Sequence, residues 1–160
     1  MNKNIIATLL VLLISLTSCG YQPIFSSKSI NNNADISINN ITFKNKNDVN
    51  NIFLRKLKFF QKQKENSNQF DIILNISKTK KIISKNKVGN PEVYNIEIIT
   101  DLSITRKGSD EIIYSSSLES NKNYNNLENK FDLKQEENTI ISNLVDEMVN
   151  EIISAIFSSQ

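Results

Sequence analysis

The chain has no histidine and no tryptophan, a single cysteine, three glycines and two prolines among its 160 residues. The missing histidine excludes Ser-His-Asp and Cys-His catalysis, histidine-ligated metal sites and the usual proton shuttle. The lone cysteine excludes an internal disulfide framework, even in an oxidising compartment. The hydrophobic core must therefore stabilise the fold unaided.

A carboxylate-only enzyme is the remaining catalytic alternative. The acidic residues are scattered through amphipathic segments, and Glu136 and Glu137 stand at the start of a predicted helix, where the helix dipole favours negative charge. We therefore expect no enzymatic activity, no catalytic residue and no metal site.

The apolar run from Ile5 to Leu16 is too short to cross a membrane, because a spanning helix needs about 20 apolar residues. Lys3 precedes this run and small residues follow it, which is the pattern of a signal peptide over residues 1–18. We expect the mature protein to begin at Cys19.

The sequence Leu-Thr-Ser-Cys that ends at Cys19 resembles the lipobox of bacterial lipoproteins. In that class the cysteine sulfur carries a diacylglycerol, and the new amino group is acylated after cleavage. Two or more acyl chains give stable membrane anchoring. Gly20 follows the cysteine, where an aspartate would indicate inner-membrane retention. The resemblance implies a protein anchored in the outer membrane through covalent diacylglycerol and N-acyl lipid on Cys19, with no other cofactor; a buried or fortuitous cysteine is the alternative.

The mature chain has the length of one domain. Residues 19–34 are polar, contain Pro23 and predict a lipidated N-terminal tether, whereas residues 35–160 predict a single α+β domain. Without Lys3, the 19 lysines and arginines become 18, against 17 aspartates and glutamates. Because this balance creates no global positive field, nucleic acid is not an expected partner.

Hydrophobic periodicity predicts the element order β-α-β-β-β-α. The first strand, within residues 35–44, changes phase near Asn39 and Asn40, which indicates a β-bulge. An amphipathic helix follows, for which Asn47 and Asp48 are candidate N-caps.

Three strands then alternate apolar and polar residues, and a short polar link joins the last two as in an antiparallel hairpin. The final helix carries a wide apolar stripe that a sheet must cover. Its members are Ile140, Ile141, Leu144, Val145, Met148, Val149, Ile152, Ile153 and Ile156. We expect an α+β fold in which both amphipathic helices pack on one face of a four-stranded mixed sheet.

The second face of this sheet is mixed in character. Apolar residues stand there among asparagine, serine, threonine and glutamate, and they are Ile73, Val93, Ile99 and Ile113. Such a face suits either solvent or a protein partner, so these four residues are the candidate partner surface.

The start of the mature chain and its last segment resemble the LptE-type lipopolysaccharide-assembly lipoproteins, particularly their α-proteobacterial branch. The matching residues are Cys19, Gly20, Tyr21, Pro23, Ile24 and Phe25, and later Tyr124, Asn125 and Phe131. The resemblance implies a periplasm-facing subunit that is plug and chaperone of the outer-membrane β-barrel of the lipopolysaccharide translocon. A lipoprotein that activates a peptidoglycan synthase, or another envelope scaffold, is the rival interpretation.

A lysine-rich segment, residues 77–87, lies where the second predicted strand runs into a loop, and it contains no acidic residue. Its lysines are Lys78, Lys80, Lys81, Lys85 and Lys87. Ammonium groups bind phosphate as point charges, so this segment is the candidate lipopolysaccharide-binding site. The alternative is a solvated strand end whose lysines prevent edge-to-edge aggregation.

Overall fold

The computed structural model describes residues 36–61 and 68–159. The signal peptide, Cys19 and the tether predicted from the sequence lie outside these residues. The elements are β1 (Ile36–Phe43), α1 (Asn50–Leu57) with a 3₁₀ turn after it (Lys58–Gln61), β2 (Asn68–Lys85), β3 (Pro91–Arg106), β4 (Ile112–Asn125) and α2 (Lys130–Ser158).

The four strands form one sheet in the order β1-β2-β3-β4. β1 runs parallel to β2, and the other two pairs are antiparallel. A parallel pair needs a crossover connection, which α1 provides, whereas the antiparallel pairs need only turns. The predicted α+β class, the mixed four-stranded sheet and the order β-α-β-β-β-α are confirmed.

The predicted bulge lies in β1. Ile38 pairs with Phe70 of β2, but the next pair is Asn40 with Asp71, so Asn39 is the extra residue. The Asn39 side-chain amide donates a 2.6 Å hydrogen bond to the Asp71 carboxylate. Because the bulge resets the alternation, Ile41 and Phe43 pack against the same core as Ile38.

Neither predicted cap is the N-cap of α1, which is Val49 and has no side-chain cap bond of its own; Asn47 instead orders the turn just before the helix. Its side-chain oxygen accepts hydrogen bonds from the backbone N–H groups of Val49 and Asn50, at 2.9 and 3.0 Å. These bonds satisfy donors that have no partner within a helix. The regular helix is shorter than its amphipathic pattern, because the chain tightens into the 3₁₀ turn after Leu57.

The hydrophobic core lies between the sheet and the two helices. Alternate residues of β2 and β3 point into it: Phe70, Ile72, Leu74, Ile76, Ile96, Ile98, Leu102 and Ile104. The whole predicted stripe of α2 is buried there, together with Phe53 and Leu57 of α1. Burying a side chain of this size stabilises the fold by about 1.5–3 kcal/mol.

The sheet narrows toward the turn between β2 and β3. β1 stops pairing at Phe43 opposite Leu74, and the Asn45 side chain then binds both the N–H and the C=O of Ile76. On the other side, β4 stops pairing at Asn125 opposite Val93. The β2–β3 hairpin therefore projects beyond both neighbouring strands.

Candidate functional site

The lipidation site predicted at Cys19 lies outside the described residues, as do the signal peptide and the residue 19–34 tether. Two other candidate surfaces predicted from the sequence lie within the described residues: the sheet face away from the helices and the lysine-rich part of β2.

Ile73 and Ile99 are half-buried residues on the sheet face away from the helices. Ile73 pairs with Ser103, and Ile99 pairs with Ser77 on one side and Glu119 on the other. Four residues separate the Ser103 and Ile99 positions along β3, which corresponds to about 13 Å. The two isoleucines are therefore separate apolar points among polar neighbours and do not form one patch.

Polar side chains bind one another across this face. Asp101 accepts hydrogen bonds from the Asn75 amide at 3.2 Å and from the Ser117 hydroxyl at 2.9 Å. Asn95 donates to the side-chain oxygen of Asn123 at 2.7 Å. This network orders the face and leaves its outer hydroxyl and amide groups available to water or to a polar partner.

The other two residues of the candidate partner surface lie at opposite ends of the sheet. Val93 is half-buried and lines a shallow depression with Leu127 and Asn125. Ile113 lies beside a register shift, where Tyr114 pairs with Ile104 but Ile112 pairs with Thr105. This irregularity breaks the alternation, and Ile113 packs against the hydrophobic core.

The five lysines of the candidate lipopolysaccharide site do not share one environment. Lys78 forms an ion pair with Asp48, before α1, and Lys80 forms one with Glu137 of α2. Both lie on the helix side of the sheet. Lys81 lies on the other side, where its Nζ is 2.8 Å from a carboxylate oxygen of Glu97.

Lys80 occupies the most elaborate of these environments. Its Nζ lies 2.5 Å from Glu137 Oε1 and 4.0 Å from the centre of the Tyr94 ring, in cation–π geometry. Tyr94 stacks on Tyr124, whose hydroxyl donates a 2.8 Å hydrogen bond to the same Glu137 oxygen. The cluster ties β2, β3 and β4 to the first turns of α2.

The charges of this cluster are coupled. Burial tends to raise the pKa of Glu137, but the hydrogen bonds from Lys80 and Tyr124 and the positive charge of Lys80 outweigh burial and lower it. Burial, followed by the adjacent carboxylate, raises the pKa of Tyr124 because both disfavour the phenolate. The arrangement stabilises a neutral tyrosine beside an ionised pair.

Lys85 and Lys87 are exposed at the end of the hairpin, and within residues 36–61 and 68–159 no carboxylate lies within 4.0 Å of either ammonium group. Among the described strands, none pairs with β2 on its β1 side beyond Leu74. The lysines beyond that point border an open strand edge, where charge opposes pairing with another chain.

The described residues contain no group of acidic or cysteine side chains arranged to hold a metal ion. No helix in the described part of the chain is both long and apolar enough to cross a membrane.

No protein-family model matches this chain, and no curated protein matches its sequence. Solved structures do match its fold. Rare lipoprotein B from Shewanella oneidensis superposes with a TM-score of 0.55 at 12% identity, covering 78% of this chain and 94% of that one. Lipoprotein B from Nitrosomonas europaea gives a TM-score of 0.55 at 14% identity, with 80% and 90% covered. A minor lipoprotein from Acinetobacter baumannii gives 0.53 at 12% identity, with 72% and 86% covered. The chain therefore has the fold of these bacterial lipoproteins.

Proposed function

We propose that this protein is an outer-membrane lipoprotein subunit of the lipopolysaccharide transport and assembly machinery, and that it acts as plug and chaperone of the translocon β-barrel. The observation that carries the proposal is the shared fold, which covers 94% of the Shewanella oneidensis lipoprotein. The sequence that ends at Cys19 supports it independently, because it resembles a lipobox and lipidation there would give the anchor that such a protein requires.

The sheet face away from the helices, which we call the open face, is the surface that we assign to the barrel. It combines half-buried isoleucines with an ordered polar network, a composition close to that of non-obligate protein interfaces. Ile99 is central to this face because it lies on β3 between the paired positions Ser77 and Glu119.

The lysine segment supports the proposal less than its sequence suggests. Three of its five ammonium groups, those of Lys78, Lys80 and Lys81, already have carboxylate partners within the domain. A lipid phosphate at these positions would compete with those carboxylates. The proposal therefore depends on the fold, the anchor and the open face.

Co-purification tests the proposal directly. We expect the tagged full-length protein, extracted in mild detergent, to retain an outer-membrane β-barrel. Recovery of a peptidoglycan synthase instead of a barrel would favour the rival interpretation. Mass spectrometry of the mature N-terminal peptide should show acyl groups on Cys19, and an unmodified thiol would contradict the anchor.

A matched pair of variants then locates the interface. Ile99→Lys should reduce recovery of the barrel, because it places an ammonium group in the centre of the open face. Thr139→Lys adds the same charge at an exposed position of α2 and should leave recovery unchanged. Equal recovery with both variants would exclude the open face as the barrel contact.

A further inference from the structure

The exposed large apolar side chains of the described residues are concentrated at one end of the domain. The set is Phe59, Ile82, Ile83, Val88, Ile112, Leu127 and Phe131. Five of these seven lie where β2 turns into β3 and where α2 begins. We call Ile82, Ile83, Val88, Leu127 and Phe131 the apolar tip; Val88 is 84% exposed and Phe131 73%.

Hydrogen bonds hold the two parts of the apolar tip together. The Asn126 backbone N–H donates to the C=O of Glu92 at 2.8 Å, and its side-chain amide donates to the C=O of Pro91 at 2.9 Å. These bonds fix Leu127 beside the base of the hairpin. Lys130, the residue before Phe131, lines a shallow depression with Asn86 and Pro91, so the start of α2 lies beside the hairpin.

The turn that carries Val88 is ordered. The Asn86 side chain accepts hydrogen bonds from the backbone N–H groups of Val88 and Asn90, both at 3.0 Å. Gly89 has φ +90°, a conformation that side-chain-bearing residues rarely adopt. An exposed apolar side chain on an ordered turn loses little conformational entropy when it binds.

The charges on the hairpin are positive only. Residues 82–91 contain Lys85 and Lys87 but no acidic residue. Apolar side chains with adjacent lysines match the interface of an anionic bilayer, where the former enter the acyl boundary and the latter remain at the phosphates. The acidic residues nearest to the apolar tip are Glu92 at the base of the hairpin, Glu128 after Leu127 and Asp132 after Phe131, and they would set the limit of insertion.

We propose that the apolar tip inserts into the interface of a bilayer that contains anionic phospholipids. The hairpin projects beyond both β1 and β4, so none of the described strands flanks its end. A bilayer interface can surround a projecting end of this kind and cover its exposed apolar side chains from all sides. This contact is additional to the proposed role in the translocon.

Because the chain has no tryptophan, a single introduced tryptophan reports on the tip. We expect emission of the full-length Val88→Trp protein to shift to shorter wavelength with phosphatidylglycerol vesicles, and to be quenched by brominated acyl chains. The matched control is Ile112→Trp, an exposed position at the opposite end of the sheet, which should be neither shifted nor quenched. Adding Lys85→Gln and Lys87→Gln to Val88→Trp should lower the ratio of inserted to free tip about thirtyfold, the effect of removing two lysines from an anionic surface.

Unshifted and unquenched emission of Val88→Trp on vesicle-bound protein would overturn the proposal. Equal quenching at positions 88 and 112 would also overturn it, because the anchor alone would then account for contact with the lipid. A shift that appears with purified lipopolysaccharide but not with phospholipid vesicles would assign the tip to a different ligand. Circular dichroism of each variant checks that the fold is intact.

Discussion

Replacing Lys80 with methionine tests whether the cluster of Lys80, Tyr94, Tyr124 and Glu137 stabilises the domain. Methionine keeps a long apolar stem but removes the ammonium group that lies between Glu137 and the Tyr94 ring. Glu137 then keeps its hydrogen bond from Tyr124 but loses its cation. Its side chain is only 12% exposed, so water compensates poorly for the loss.

The expected cost is about 2 kcal/mol. A well-exposed ion pair contributes up to about 1 kcal/mol. A cation–π contact adds about 0.5–1 kcal/mol, and an incompletely paired, poorly hydrated carboxylate costs about 1 kcal/mol more. For a domain of this size, 2 kcal/mol corresponds to a fall in Tm of about 6 °C.

Thermal and urea unfolding at pH 7 measure this cost. Lys81→Met is the matched control, because it removes the neighbouring ammonium group from a pair on the open face and should lower Tm much less. Adding Glu137→Gln to Lys80→Met should restore part of the loss, since the amide carries no unpaired charge. Equal effects of Lys80→Met and Lys81→Met would refute the reasoning.

Three further predictions concern hydrogen bonds and titration. Asn45→Ala removes the side-chain acceptor of the Ile76 N–H, whereas the C=O of Ile76 keeps the Asn47 amide at 2.8 Å, and should cost about 1 kcal/mol in urea unfolding; an unchanged midpoint would show that water replaces the Asn45 side chain. The raised pKa of Tyr124 contributes stability that is present below pH 10 and is lost as the pH rises further, so Tyr124→Phe should flatten the alkaline part of the stability profile. The lowered pKa of Glu137 contributes stability that is present above pH 4.5 and is lost as the pH falls, so Glu137→Gln should flatten the acidic part of the profile. For each of these two residues, a variant whose stability changes with pH in parallel with the unmutated protein would contradict the pKa shift assigned to that residue.

The sequence predicted most of the fold because its signals are local. Alternation over β2, β3 and β4 identified the core face, and the phase change near Asn39 located the bulge that the structure shows between Ile38 and Asn40. The end of α1 was less predictable. Its apolar spacing continues to Phe60, and only packing against the sheet decides where regular helix gives way to a 3₁₀ turn.

The candidate surfaces were harder to predict because they depend on contacts between distant elements. The lysine segment contains no acid, yet Asp48 and Glu137 reach it from positions 30 and 57 residues away. Alternation along β4 predicted Ile113 on the sheet face away from the helices. The register shift beside Thr105, which the local sequence does not indicate, turns it toward the core instead. The apolar tip has only a weak signal, the adjacent Ile82 and Ile83, because the same strand also contains Ile72, Ile73 and Leu74 in succession.

The parallel position of β1 has a consequence for the order of folding. β2, β3 and β4 form a meander through short turns, whereas Ile36 must find Asn68 across the whole crossover. Local pairs form faster, so we expect the meander to assemble first and β1 to dock last. The same segment should open first from the native state, as a sub-global unit. Opening would uncover the apolar half of the β2 edge, from Phe70 to Ile76. This half of the strand contains no lysine whose charge would oppose pairing with another chain.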